Sequence, residues 1–116
     1  MFFDYDSMNF YIKPGSTDMR CGIDRLMVTV QNIMKMDPCM KDSMFLFCGK
    51  NRKNIKALIW DKNGFWLLNK KLITGTFVWP YNSEAAMKLS RNDIERMLAG
   101  ADIFRKLPDW GNDLVI

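Results

Sequence analysis

The amino-acid sequence predicts an α+β fold: a small antiparallel β-meander packed against one main amphipathic helix, with a short C-terminal helix. Three observations carry this. Apolar residues recur at spacings of three and four over Ile23, Leu26, Met27, Val30 and Met34, which is one face of an α-helix. From Met44 onward the period gives way to short apolar runs of strand length, at Met44–Cys48, Ile55–Trp60, Phe65–Leu68 and Thr76–Trp79. Between the second and third runs lies Asp61-Lys62-Asn63-Gly64. Asn-Gly is the strongest short hairpin signal, because both residues accept a positive φ.

Each element has its own punctuation. Met8, Phe10 and Ile12 alternate weakly and suggest a short first strand, broken by Pro14-Gly15. Ser16-Thr17-Asp18 then offers three N-cap side chains for the helix. The helix is expected to run to about Met36, where Asp37-Pro38 ends it, since the residue before a proline is pushed out of helical backbone. Gly75 leads into the fourth strand and Pro80 stops it. Tyr81 to Lys88 fits no single period. Ser90 is a second N-cap, with Asp93 three residues on, and Ile94, Met97 and Leu98 form a short stripe that Gly100 terminates. Residues 101–116, with Pro108 and Gly111, read as a tail that is poorly ordered or docked on a partner. With no repeat and no linker, the chain is one domain with an ordered core of about residues 8–100.

Composition excludes several kinds of chemistry. The 116 residues are 48% hydrophobic and 26% charged, a globular balance. Histidine is absent, which removes Ser-His and Cys-His nucleophile pairs, a histidine base and any histidine-liganded zinc. The longest apolar runs have five residues, against ~20 for a membrane-spanning helix, so no membrane partner is expected. Cys21, Cys39 and Cys48 are odd in number and contain no C-x-x-C, so they form no disulfide framework. The early acids Asp4 and Asp6, without a basic stretch, do not make a signal peptide. A reducing cytoplasm is the expected compartment. Among carboxylates, Asp18 and Asp24 fall on different faces of one helix start, Asp18 reads as a cap, Asp61 as a turn residue, and Glu95 stands apart. No P-loop or G-x-G-x-x-G is present. The reading is a non-enzymatic protein with no metal, no cofactor and no small-molecule substrate. The ten methionines serve as core filler or as an adaptable binding surface.

The charge is unevenly spread. Between Gly49 and Lys71 stand Lys50, Arg52, Lys53, Lys56, Lys62, Lys70 and Lys71 against Asp61 alone, a local balance of +6 in a chain of net +4. Closely spaced cations neutralise phosphates and release counterions, and Asn51 and Asn54 add hydrogen-bond donors. The alternative is a solvated hairpin face. Phe65, Trp66, Phe77 and Trp79 interleave with this stretch and either stack on unpaired bases or fill the core. Arg20 has no capping role in a helix's first turn, and either pairs with Asp18 or Asp24 or reaches a phosphate. The candidate nucleic-acid-binding residues are Arg20, Lys50, Arg52, Lys53, Lys56, Lys70 and Lys71.

The order of residues carries a further signal. Thr17-Asp18-Met19-Arg20, Gly22-Ile23-Asp24 and Leu26 form a T-D-M-R-x-G-I-D-x-L block, and Phe45 to Arg52 form an F-x-F-x-G-x-x-R block. Trp60-Asp61, Gly64-Phe65, Lys70-Lys71-Leu72, Gly75, Phe77 and Trp79-Pro80 follow in order. From about Tyr11 to Gly100 this series resembles the TnpB accessory proteins encoded by the second open reading frame of insertion-sequence-66 elements, a family of bacterial transposable elements. Where Lys71 stands the family often has Arg, and Lys keeps the charge without the planar fork. The resemblance implies a non-enzymatic accessory role in DNA transposition, with the element ends, the cognate transposase and other element-encoded proteins as partners. The alternative is a protein-interaction adaptor for the transposase that never touches DNA.

Overall fold

A strand that is apolar at every position has to be covered on both faces, and Ser43–Cys48 is buried at all six residues. That requirement organises the protein. In a computed structural model, which describes residues 4–81 and 86–99, this strand lies at the centre of a five-stranded sheet.

The elements run β1 (Asn9–Ser16), α1 (Ile23–Asn32), β2 (Ser43–Cys48), β3 (Asn54–Asp61), β4 (Gly64–Lys71), β5 (Met87–Leu89) and α2 (Arg91–Leu98), after a 3₁₀ turn at Tyr5–Ser7. Their order across the sheet is β4-β3-β2-β1-β5. β1 runs parallel to β2, and every other pairing is antiparallel. The expected architecture is corrected by this. The sheet is mixed, and the helices are two short ones of ten and eight residues rather than one main helix on an antiparallel meander. Parallel neighbours need a long crossover, and the segment carrying α1 supplies it.

Side chains alternate between two cores. On one face Phe45, Phe47 and Leu58 cluster with Leu26, Val30 and Met34, the last just beyond α1. Tyr11 stacks on Phe45 across the parallel pair, with ring centroids 5.7 Å apart. On the other face Phe10, Ile12, Leu46, Ala57 and Ile59 cluster with Ile94 and Met97 of α2 and with Phe77 and Trp79. Burying each large apolar side chain contributes about 1.5–3 kcal/mol.

Local expectations fare differently. β1 does not stop at Pro14-Gly15: it continues to Ser16 through a register irregularity, with Gly15 at φ +76°. α1 ends at Asn32, short of Asp37-Pro38, because Lys35 adopts φ +58° and the Met36 N–H turns back to the Val30 carbonyl. Ser90 does cap α2, accepting from the Asp93 N–H at 3.1 Å. Thr76–Trp79 is not a strand. Phe77 and Trp79 are nonetheless core, as their size predicts, held by Phe77 N–H to the Arg52 carbonyl at 2.6 Å and Trp79 Nε1–H to the Lys13 carbonyl at 2.8 Å. Gly100 and the tail 101–116 lie outside the described residues.

The β3–β4 hairpin forms where the sequence places it, with its turn one residue earlier than Asn-Gly suggests. Asp61 and Gly64 are the closing pair. Lys62 takes φ +55°, and the Asn63 N–H donates to the Asp61 carbonyl at 2.5 Å, a γ-turn about Lys62. Lys62→Gly is therefore expected to raise stability by about 0.5 kcal/mol, the relief of a left-handed residue less the entropy that glycine adds to the unfolded chain. A higher urea midpoint at constant m-value would register it. Among the described residues, no helix is long and apolar enough to cross a membrane.

Candidate nucleic-acid interface

The parallel pairing of β1 and β2 brings two distant stretches of sequence to one end of the sheet. Ser16 pairs with Cys48, and the Thr17 N–H donates to the Cys48 carbonyl at 2.8 Å. The chain leaving β1 (Thr17 to Arg20) therefore runs beside the chain leaving β2 (Gly49 to Arg52). The second stretch is a tight loop. Gly49 N–H bonds the Asn54 carbonyl at 3.0 Å, Arg52 N–H bonds the Gly49 carbonyl at 2.9 Å, and the Lys53 N–H bonds Asn51 Oδ1 at 3.1 Å. Between the two walls, Ser16–Arg20 on one side and Gly49–Asn51 with Asn54 on the other, lies an open cleft of about 740 Å³.

Glycine at position 49 is a packing requirement. A Cβ there would stand 2.7 Å from Cγ of Met19, closer than real contacts allow, so Met19 can occupy the cleft wall only against a bare Cα. Gly49→Ala is expected to destabilise by about 1–2 kcal/mol through this overpacking, and Met19→Ala in the same chain should recover most of that. A double-mutant cycle on urea midpoints measures the coupling.

Asp18 does not cap the helix as expected. The N-cap position of α1 is Gly22, with no side-chain bond. Asp18 instead holds Arg20: its carboxylate accepts the Arg20 N–H at 2.9 Å, Nε at 3.0 Å and Nη2 at 2.7 Å. Of the two carboxylate partners considered for Arg20, Asp18 is the one it takes. The side-chain hydrogen bond from Arg20, then its backbone bond, pull the Asp18 carboxyl from 3.8 down to about 2. A depressed carboxyl pKa favours the folded state above the ordinary value, and that contribution is lost as pH falls through the folded one. The window is thus between about pH 4 and pH 2. Carboxyl NMR should find Asp18 titrating near the lower end, and Arg20→Gln should move it up.

The structure divides the seven cations named from sequence. Arg20 and Lys50 are exposed at the cleft rim. Lys71 is exposed and sits directly opposite Asn54 in the β3–β4 ladder. Lys56 is on the same face, with Nζ donating to the Cys21 carbonyl at 2.8 Å beside the start of α1. These four surround one end of the sheet. The others do not join them. Lys70 is on the opposite face, where its Nζ bonds the Leu98 carbonyl at 3.1 Å. Lys53 reaches the Gly75 carbonyl at 3.3 Å, and the Arg52 guanidinium lies 6.0 Å from the Tyr81 ring centroid. Arg52 also bears φ +58°, so its position has a backbone role of its own.

Sequence reasoning missed Met19 and Thr17 as cleft residues. The Thr17 Oγ1 is buried with no hydrogen-bond partner among the described residues. A contact made by parallel pairing leaves no local periodic signal. Cys48 is the buried hydrophobe the sequence suggests, its thiol pushed up to about 11 by burial.

The chain matches the model of the family described as IS66 Orf2 like protein over residues 8–107. It is 33% identical over 104 residues to the uncharacterized protein y4hO of Sinorhizobium fredii, spanning 90% of each chain. It is 29% identical over 85 residues to the uncharacterized protein y4jC of the same organism, spanning 73% of this chain and 72% of that one. No solved structure matches it significantly. These findings define a transposition-associated accessory protein of an insertion element. The chain belongs to the IS66 Orf2-like family.

Proposed function

We propose that this protein serves transposition by binding element DNA through the end of the sheet where Arg20, Lys50, Lys56 and Lys71 gather around Asn54. The observation that carries the reading is this gathering. Cations from the β1–α1 connection, the β2–β3 loop and strands β3 and β4 share one surface, although they are spread over 52 positions of sequence. Such a surface positions phosphates without reading bases. Strand-transfer chemistry then belongs to the element's transposase, with this protein as its DNA-holding companion in the bacterial cytoplasm.

The test is a salt series on labelled duplex carrying the element end, beside a scrambled duplex of equal length. With about three phosphates neutralised, by Lys50, Lys56 and Lys71, because Asp18 already balances the charge of Arg20, log K should fall against log salt with a slope of about −2.7. Preference for the element end would add sequence reading. Absence of binding at low salt would overturn the proposal.

A second reading has its own observation. An apolar groove of about 370 Å³ lies on the α2 face, lined by Met44, Leu46, Ala57, Leu68 and Leu98. It favours an adaptor that contacts the transposase. Pull-down of the cognate transposase by the wild type but not by Leu68→Asp, with no DNA affinity, would select it.

A further inference from the structure

The cleft has more shape than a phosphate-binding surface needs. Duplex DNA is a convex rod, and cations on a rim reach its phosphates while a concavity of about 740 Å³ stays empty beneath them. The contents of this cleft match another ligand. Its wall carries the half-buried thioether of Met19, brought close by the bare Cα of Gly49. Its lining includes the half-buried side chain of Asn54, whose amide makes no hydrogen bond among the described residues. Asn51 commits its Oδ1 to the loop and keeps its amide N–H groups for a ligand. Thr17 adds a buried hydroxyl without a partner, and unmet polar groups in native lining call for an explanation. Lys50 stands at the mouth beside Arg20, whose guanidinium is paired with the Asp18 carboxylate of the same lining.

A soft apolar wall, carboxamides and cations at the entrance are what a single unstacked nucleotide asks for. The base lies against a polarizable side chain, an amide pairs with the base edge, and the flanking phosphates meet the cations. We infer that the cleft holds one unpaired nucleotide of single-stranded DNA, such as a frayed or cleaved element end, with its base against Met19 and its edge on Asn54. This rests on the DNA-binding reading above and adds that a base enters the protein. Sequence-specific recognition of unpaired strands uses base contacts of this kind.

The experiment compares fluorescein-labelled single-stranded 12-mers of ordinary DNA with 12-mers of the same length containing abasic sites, using the full chain. Both carry the same phosphates, so the difference isolates the base. The ordinary strand should bind about tenfold more tightly, the scale of one seated base. Asn54→Ala and Met19→Ala should each remove most of that difference, and Met19→Ala should do so while leaving the salt slope and the duplex affinity unchanged. Circular dichroism and the urea midpoint verify that each variant is folded, and the abasic comparison on the wild-type chain stands independently of them. Equal affinity for ordinary and abasic strands, with duplex binding intact, would overturn this inference and leave the DNA-binding reading standing. Loss of all DNA binding in the wild type would overturn both.

Discussion

Phe47→Ala is expected to remove about 3–5 kcal/mol of folding stability, a large part of the about 5–15 kcal/mol that holds a domain of this kind together. Phe47 has no exposed surface. It sits on the central strand, in the cluster that joins Leu26, Val30 and Met34 to Phe45 and Leu58. A cavity there cannot be filled by local collapse, because β2 is hydrogen-bonded to neighbours on both sides. Phe47→Leu keeps most of the volume and should cost about 1 kcal/mol. Ile73→Ala, at a side chain 85% exposed, should change stability by less than about 0.5 kcal/mol. Urea unfolding followed by tryptophan fluorescence reports all three. Equal midpoints for Phe47→Ala and Ile73→Ala would mean that the α1 face of the sheet is not core.

That residue also shows what the sequence can and cannot disclose. Met44–Cys48 stands out as an apolar run, and the structure adds only Ser43 to the strand. Its neighbour β3, the edge strand β4 beyond it and the hairpin between those two are also legible, because adjacent antiparallel strands leave their signal within a short window. The partner on the other edge of β2 is not. Twenty-six residues separate the end of β1 from the start of β2, and no local pattern says that two strands so far apart lie parallel. With that pairing hidden, an apolar run such as Met44–Cys48 looks like part of a meander rather than the middle of a mixed sheet. β5 has only three residues, too few for a period to show. The end of α1 escapes the sequence for a different reason: Lys35 enters left-handed backbone, which composition gives no cause to expect of a lysine, whereas Pro38 looks like an obvious stop.

The candidate site follows the same division. A count of charges makes Gly49–Lys71 one basic patch, but strands alternate their faces. Lys71 pairs with Asn54 while the neighbouring Lys70 pairs with Ile55, so two adjacent lysines point to opposite sides of the sheet. Arg20, an isolated oddity near a helix start when read along the chain, joins the patch only because Thr17 is hydrogen-bonded to Cys48. Parts of two of the blocks that carry the resemblance, Thr17–Arg20 and Gly49–Asn51, are thus the two walls of one cleft.

This geometry makes a prediction that net charge alone cannot. Lys50→Gln with Lys71→Gln removes two cations from the cleft end of the sheet. Lys62→Gln with Lys70→Gln removes two as well, from the far hairpin turn and from the α2 face. The two double variants have identical net charge. If DNA lies across the cleft end, the first pair should reduce the steepness of the salt dependence by about 1.8, at about 0.9 for each phosphate that is no longer neutralised. Near 0.1 M salt that corresponds to roughly sixtyfold weaker binding. The second pair should leave the slope within about 0.5 of the wild type, since its charges stand away from the bound phosphates and are screened beyond about 10 Å at that salt. Lys70 also bonds the Leu98 carbonyl, so the second pair needs its urea midpoint measured beside its affinity. Equal weakening by both pairs would mean that DNA responds to the protein's overall field rather than to a located surface, and the interface would have to be sought elsewhere. Weakening confined to the first pair ties binding to the junction of the β1 and β2 ends, a place that exists only because those two strands are parallel.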